Sequence, residues 1–127
     1  MRTRMFFLVF TSAVLAGSLV AQEPSDTVKW AGTGKIAIVS TVIVPNGCYS
    51  AGTPIPGAPP GAMPVEHAAL VTFPLVHADG VMCTQALQPV RFSITMDAPA
   101  GTQALVIYTT DAFAKTVTAR ALALPPR

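Results

Sequence analysis

The sequence predicts an all-β protein, a single antiparallel β-sandwich of about six strands that follows an N-terminal signal-peptide helix. Three observations predict it. Val, Ile, Thr and Phe dominate a series of short runs in which apolar and polar residues alternate with a period near two. Gly- and Pro-rich punctuation separates the runs, as in "AGTG", "PNG", "AGTPIPGAPPGAMP" and "APAG". No segment carries a capped apolar stripe of period 3.6. "DAFAKTVTARALAL" (111–124) comes nearest, and its Thr and Val residues weaken it as a helix.

The elements follow in order. Residues 1–21 read as a secretory signal peptide: Arg2 and Arg4 form a basic start, Met5 to Ala21 carry no charge, and small residues precede the polar "QEPS". Cleavage is expected after Ala21, leaving 22–127 as one β-sandwich domain. The rival is an uncleaved anchor, but 17 uncharged residues are few for crossing ~30 Å of hydrocarbon. No cysteine lies near the cut, which argues against a lipid anchor. A short strand at Thr27–Ala31 turns at "GTG" into "KIAIVSTVIV" (35–44). "EHAALVTFPLVHA" (66–78) is the third run. Pro74 cannot donate a ladder hydrogen bond there, so this strand is expected to be an edge or to carry a bulge. "VRFSITM" (90–96) alternates cleanly, and "DAPAGTQ" (97–103) reads as a tight connection to an antiparallel neighbour, "QALVIYTTD" (103–111). "AKTVTARALAL" (114–124) closes the series. Between the second and third runs, 51–64 holds five prolines and reads as a long, partly stiff surface loop.

Charge excludes one class of function. The whole chain is +2 with a pI near 8.8, but Arg2 and Arg4 belong to the leader. The remaining six basic residues balance six acidic ones, and no basic cluster exists to neutralise phosphates. Nucleic acid is therefore not an expected partner.

The two cysteines, Cys48 and Cys83, lie 35 positions apart in a chain expected to reach an oxidising compartment. Their simplest fate is one disulfide, stabilising by roughly 3–4 kcal/mol through loop closure. No CxxC pair supports redox catalysis. A cysteine nucleophile would need His67 or His77 as its base and would leave the other cysteine unpaired. Met63, His67, His77 and Met82, with Met96, form a weak candidate set for copper(I). They lack any HxM, MxM or HxH pair, and methionines at such spacing usually fill cores. No metal or cofactor is expected.

Nor does an enzyme signature emerge. The part after the leader has no GxSxG elbow and no argued carboxylate pair. "WAGTGKI" (30–36) falls short of a phosphate-binding loop, with Lys29 where a glycine belongs and Ile36 where Ser or Thr belongs. Trp30, Phe73, Phe92, Tyr108 and Phe113 read as core aromatics, and Tyr49 as the most exposed one.

The arrangement "VPNGCYSAG … ALVTFPLV … CTQALQPVRFSITMDAPAGTQALVIYTT" resembles a family of small exported bacterial immunoglobulin-like domains without an assigned function. In these, Pro-x-x-Cys ends a strand, Cys-x-Gln precedes another, and Pro-x-Gly marks a turn. The resemblance covers about residues 36–110. It implies an immunoglobulin-like β-sandwich with Cys48 bridged to Cys83, and it is silent on activity.

These readings converge on a periplasmic or secreted, non-enzymatic protein, monomeric and without a membrane span once the leader is cleaved. Its expected partner is another protein or an envelope component. The expected contact residues are Tyr49, Pro54, Pro56, Pro59 and Pro60, with the strand edge at Pro74. The alternatives are a small exported protease inhibitor presenting 51–64 and a periplasmic copper carrier using the Met/His set.

Overall fold

The computed structural model describes residues 25–127; the expected signal peptide, 1–21, lies outside the described residues. Every regular element among the described residues is a strand: β1 (Ser25–Trp30), β2 (Lys35–Val44), β3 (Tyr49–Ala51), β4 (Ile55–Pro56), β5 (Ala68–His77), β6 (Gln88–Asp97), β7 (Ala104–Asp111) and β8 (Thr116–Ala123). The six expected runs are all present. Two short strands, β3 and β4, are added by the Pro-rich stretch and the residues leading into it. The first sheet has the order β1-β2-β6, and the second the order β3-β5-β7-β8, with β4 also pairing β5.

The core is built by alternation. In β2, Ile36 and Ile38 are fully buried and Lys35 is exposed. In β6, Val90 and Phe92 are buried while Arg91 and Ser93 are exposed. These residues meet Ala69, Val71 and Phe73 of β5 and Leu105 and Ile107 of β7 in one cluster. Phe73 and Phe92 stack across the sheets, with ring centroids 4.8 Å apart. Truncating either ring would open a cavity and cost about 3–5 kcal/mol.

Three expectations are corrected. The sandwich is not wholly antiparallel, because β5 and β7 run parallel, from Ala68↔Ala104 to Leu75↔Asp111. The reason lies in 97–103, which is a crossover and not a hairpin. Ala98 is fully buried and donates its N–H to the Gly34 carbonyl at 2.8 Å. Gln103 then donates to the His67 carbonyl at 2.8 Å, so the chain has already reached the second sheet. With β6 lying in the first sheet, β5 and β7 point the same way.

Pro74 does not mark an edge strand, since β5 lies between β3/β4 and β7. Nor does β5 carry a bulge there: β3 ends with Ala51 opposite Leu75 and β4 begins with Ile55 opposite Thr72, four steps against three, so the extra residue lies in the partner between β3 and β4. The Pro74 carbonyl accepts from the Gly52 N–H at 2.8 Å, so its nitrogen faces the break between β3 and β4, where no N–H is needed.

The exposed aromatic is Phe113, at 59 % exposure, and not Tyr49, which is half-buried. Phe113 sits in the turn between β7 and β8, where no second sheet covers it.

Candidate functional site

Cys48 and Cys83 are bonded, with Cα atoms 5.2 Å apart. Cys48 lies in the β2–β3 connection and Cys83 in the β5–β6 connection, and both connections cross between the sheets. The backbone prepares the bond. The Gly47 N–H donates to the Thr84 carbonyl at 3.0 Å, the Ala78 N–H to the Cys48 carbonyl at 2.9 Å, and the Cys48 N–H to the Asn46 side chain at 2.9 Å. Gly47 runs so close to Thr84 that a Cβ would overlap the threonine hydroxyl, which explains the glycine of "NGC". Gln85 donates to the Cys83 carbonyl at 3.2 Å.

An aromatic group adjoins the bridge. His77, the last residue of β5, stacks on Phe113 with centroids 3.7 Å apart and planes 9° apart. Tyr49 meets the same imidazole edge-on at 4.8 Å and 80°. The Tyr49 hydroxyl donates to Asp111 Oδ2 at 2.7 Å. Burial pushes the Tyr49 phenol up from its ordinary value, and the hydrogen bond to Asp111 and that residue's negative charge push it further. A groove of about 350 Å³, lined by Leu75, Val76, His77, Asp79, Ala112 and Phe113, opens beside this group.

The expected metal set is dispersed. Met63 is 79 % exposed in the Pro-rich loop, and His67 is exposed just before β5. His77 ends the same strand, ten residues on, which is roughly 30 Å away at strand rise. Met82 is 99 % exposed. Met63 and His67 therefore cannot share an ion with His77 and Met82. Of that set, only His77 lies in a metal-capable cluster, with the Cys48 and Cys83 sulfurs, all donor atoms within 4.8 Å of one another.

The expected contact residues are split as well. Pro56 belongs to β4, facing Val71. Pro54 and Pro59 are half-buried and Pro60 is exposed. The loop is tied down at its centre: the Gly57 N–H donates to the Leu70 carbonyl at 2.7 Å, and the Thr72 hydroxyl donates to the Gly57 carbonyl at 2.8 Å. Tyr49 is spent on Asp111 and His77.

The opposite side of the sandwich holds a polar cluster that sequence reasoning missed. Arg120 of β8 reaches across to β1, its Nε donating to Asp26 Oδ2 at 2.6 Å and its second guanidinium nitrogen to Asp26 Oδ1 at 2.9 Å. It also donates to Ser40 Oγ at 2.8 Å and Thr109 Oγ1 at 3.0 Å, and the Ser40 hydroxyl donates to Asp26. Burial pushes the Asp26 carboxyl up, but the hydrogen bonds from Arg120 and Ser40 and the Arg120 charge outweigh it, so the net shift is downward. Arg120 is held at once by Asp26, Ser40 and Thr109, so the cluster is a structural clasp joining β1, β2, β7 and β8.

One further surface stands out. β8 ends the second sheet, and its first four residues, Thr116 to Ala119, are exposed. Leu124 donates its N–H to the Gln103 carbonyl at 3.3 Å, so residues of even number in β8 face β7. By alternation Val117, Ala119, Ala121 and Ala123 turn their N–H and C=O groups outward. The only charge on the strand, Arg120, points into the sandwich.

Taken together, the fold and these surfaces define a disulfide-bridged, two-sheet β-protein. No protein-family model, no curated protein and no solved structure matches the chain.

Proposed function

We propose that the protein is an exported, non-enzymatic binding protein, periplasmic or secreted, that docks an extended segment of a partner protein on the free edge of β8. The single observation that carries this reading is that edge: an eight-residue terminal strand with four outward N–H/C=O pairs, its first half exposed. Edges are usually blunted by proline, lysine or a covering element, and β8 has none of these among the described residues. An added strand would satisfy the outward groups, and exposed Val117 and Phe113, at 60 % and 59 %, would supply side-chain contacts. Export rests on the 1–21 leader and fits the closed disulfide. Kinship with small exported immunoglobulin-like domains stays part of the proposal. The two bridged sheets suit it, and the parallel β5–β7 pair departs from it.

The test is Ala119→Pro, which removes an outward N–H while leaving the β7–β8 ladder bonds in place. Crosslinking the native protein in its envelope or culture medium should capture a partner that protects Val117, Ala119 and Ala121 amides from hydrogen exchange. Ala119→Pro should abolish both capture and protection. A partner retained by Ala119→Pro, or protection confined to 51–64, would sink the reading. Protection that depends only on a second copy of this chain would replace it with self-association.

A further inference from the structure

We propose that Cys48, Cys83 and His77 are the three protein ligands of a redox-gated site for a thiophilic d10 cation, zinc(II) or copper(I), which the disulfide closes and reduction opens. The set differs from the Met/His candidates of the sequence, which the fold scatters.

Geometry comes first. The two sulfurs and one imidazole nitrogen already lie within 4.8 Å of one another. Zinc–sulfur and zinc–nitrogen bonds of about 2.3 and 2.0–2.1 Å in a tetrahedral site put ligand atoms on the order of 3.5–4 Å apart. Small movements reach that arrangement once the S–S bond is broken. Two thiolates and an imidazole are ligands that suit both ions.

His77 gives an independent indication. Its side chain is only 9 % exposed, yet its Nδ1 is buried without a hydrogen-bond partner among the described residues. Asp79 Oδ1 lies 3.8 Å away, beyond hydrogen-bond reach. A buried, unpaired ring nitrogen costs free energy that a bound cation would offset, either directly or by fixing the ring so that Nδ1 turns to Asp79. Stacking on Phe113 and the edge contact from Tyr49 hold the imidazole in place beside the sulfurs. A ligand fixed in this way loses little entropy on binding.

The chemistry balances with a dithiol reductant. The dithiol gives two electrons and two protons to the Cys48–Cys83 bond, becomes a disulfide itself, and leaves two protein thiols. The cation then takes both sulfurs as thiolates, releasing two protons, with His77 as third ligand and water or Asp79 available for a fourth position on zinc. A small-molecule disulfide reverses this: it takes two electrons from the two thiolates and two protons from solvent, leaves as two thiols, and the re-formed Cys48–Cys83 bond expels the ion.

The test uses cobalt(II) as a spectroscopic stand-in for zinc, then zinc(II) and copper(I) by competition, on protein reduced with a phosphine that leaves no competing thiol. Reduced protein should show a thiolate-to-cobalt charge-transfer band with tetrahedral d–d intensity, and the oxidised protein should show neither. His77→Phe keeps the aromatic stack and should weaken binding by roughly tenfold or more. Equal affinity in His77→Phe would overturn the proposal, since two thiols alone would then explain the binding. If reduction unfolds the chain, zinc should restore its circular dichroism. Metal that binds without restoring the fold overturns the proposal too.

Discussion

The sandwich is closed along two seams, and they are made of different materials. On one side β1 lies over β8, joined by the Asp26–Arg120–Ser40–Thr109 cluster and by Trp30, whose indole donates to the Pro125 carbonyl at 2.8 Å. On the other side the crossovers around β3 and β6 are joined by the Cys48–Cys83 bond and the Tyr49–His77–Phe113 stack. The ionic seam satisfies its groups, and its Asp26 side chain is only 9 % exposed. The covalent seam leaves a buried nitrogen unpaired and apolar groups such as Met82 and Phe113 in solvent. What this teaches is how each seam uses its polar groups: the seam between β1 and β8 pairs its buried side chains and leaves only the outer backbone edge of β8 free, whereas the disulfide seam leaves the His77 ring nitrogen unpaired among the described residues.

The largest effect should come from cutting the covalent seam. Replacing both cysteines by alanine removes a cross-link over 35 positions and should lower unfolding free energy by roughly 3–4 kcal/mol in urea titrations. The double substitution should leave the Asp26 cluster intact in the folded protein, because its members lie on the far side. A loss below about 1 kcal/mol would mean that the backbone bonds at Gly47 and Ala78 already hold the crossovers.

Next comes the ionic seam. Arg120→Met strands the Asp26 carboxylate, and breaking a fully buried pair costs about 3–5 kcal/mol. Arg120 is 22 % exposed, so solvent screening reduces this to roughly 2–3 kcal/mol. Asp26→Leu combined with Arg120→Met should recover most of the loss. Acid distinguishes the seams further. The Asp26 carboxyl is held below its ordinary 3.8, so the unfolded chain takes up that proton at higher pH than the folded one. Its contribution is complete above the ordinary value and disappears as pH falls through the folded value. Asp26→Asn should flatten this part of the acid-unfolding curve, and the cysteine variant should keep it.

How far the sequence reached follows the same division. Phe92, with Ile94 and Met96 beside the core, declared itself through strand alternation, because burial on one face is a local pattern. The disulfide followed from a count of two cysteines and the expectation of export. The Asp26–Arg120 pair did not, since its members are 94 positions apart and each looks like an ordinary surface charge. Arg120 even follows the Thr116 and Thr118 alternation that reads as a solvent face. The parallel pairing was hidden because "DAPAGTQ" has hairpin composition, and only the burial of Ala98 between the sheets makes it a crossover. The Cys48–His77–Cys83 cluster was half legible for a third reason: His67 and His77 were equal candidates to approach a cysteine, and only the β3–β5 pairing Tyr49↔His77 selects His77.

The smallest effect tests whether the aromatic part of the covalent seam adds anything to the sulfur. Tyr49→Phe keeps the ring against His77 and deletes only the hydroxyl that donates to Asp111. A half-buried bond to a carboxylate is worth about 1 kcal/mol net. The phenol is raised by burial first and then by Asp111, so its stabilising contribution is present below the ordinary value of 10.0 and is lost as pH rises through the folded one. Ultraviolet titration of the wild type should therefore show a tyrosine ionising late, and Asp111→Asn should bring it earlier. If Tyr49→Phe changes neither stability nor the alkaline limb, the phenol is a passenger and the seam rests on sulfur alone. If it costs the expected amount, Asp111 anchors the ring that holds His77, and the imidazole's position beside the sulfurs is built by β3, β5 and β7 together.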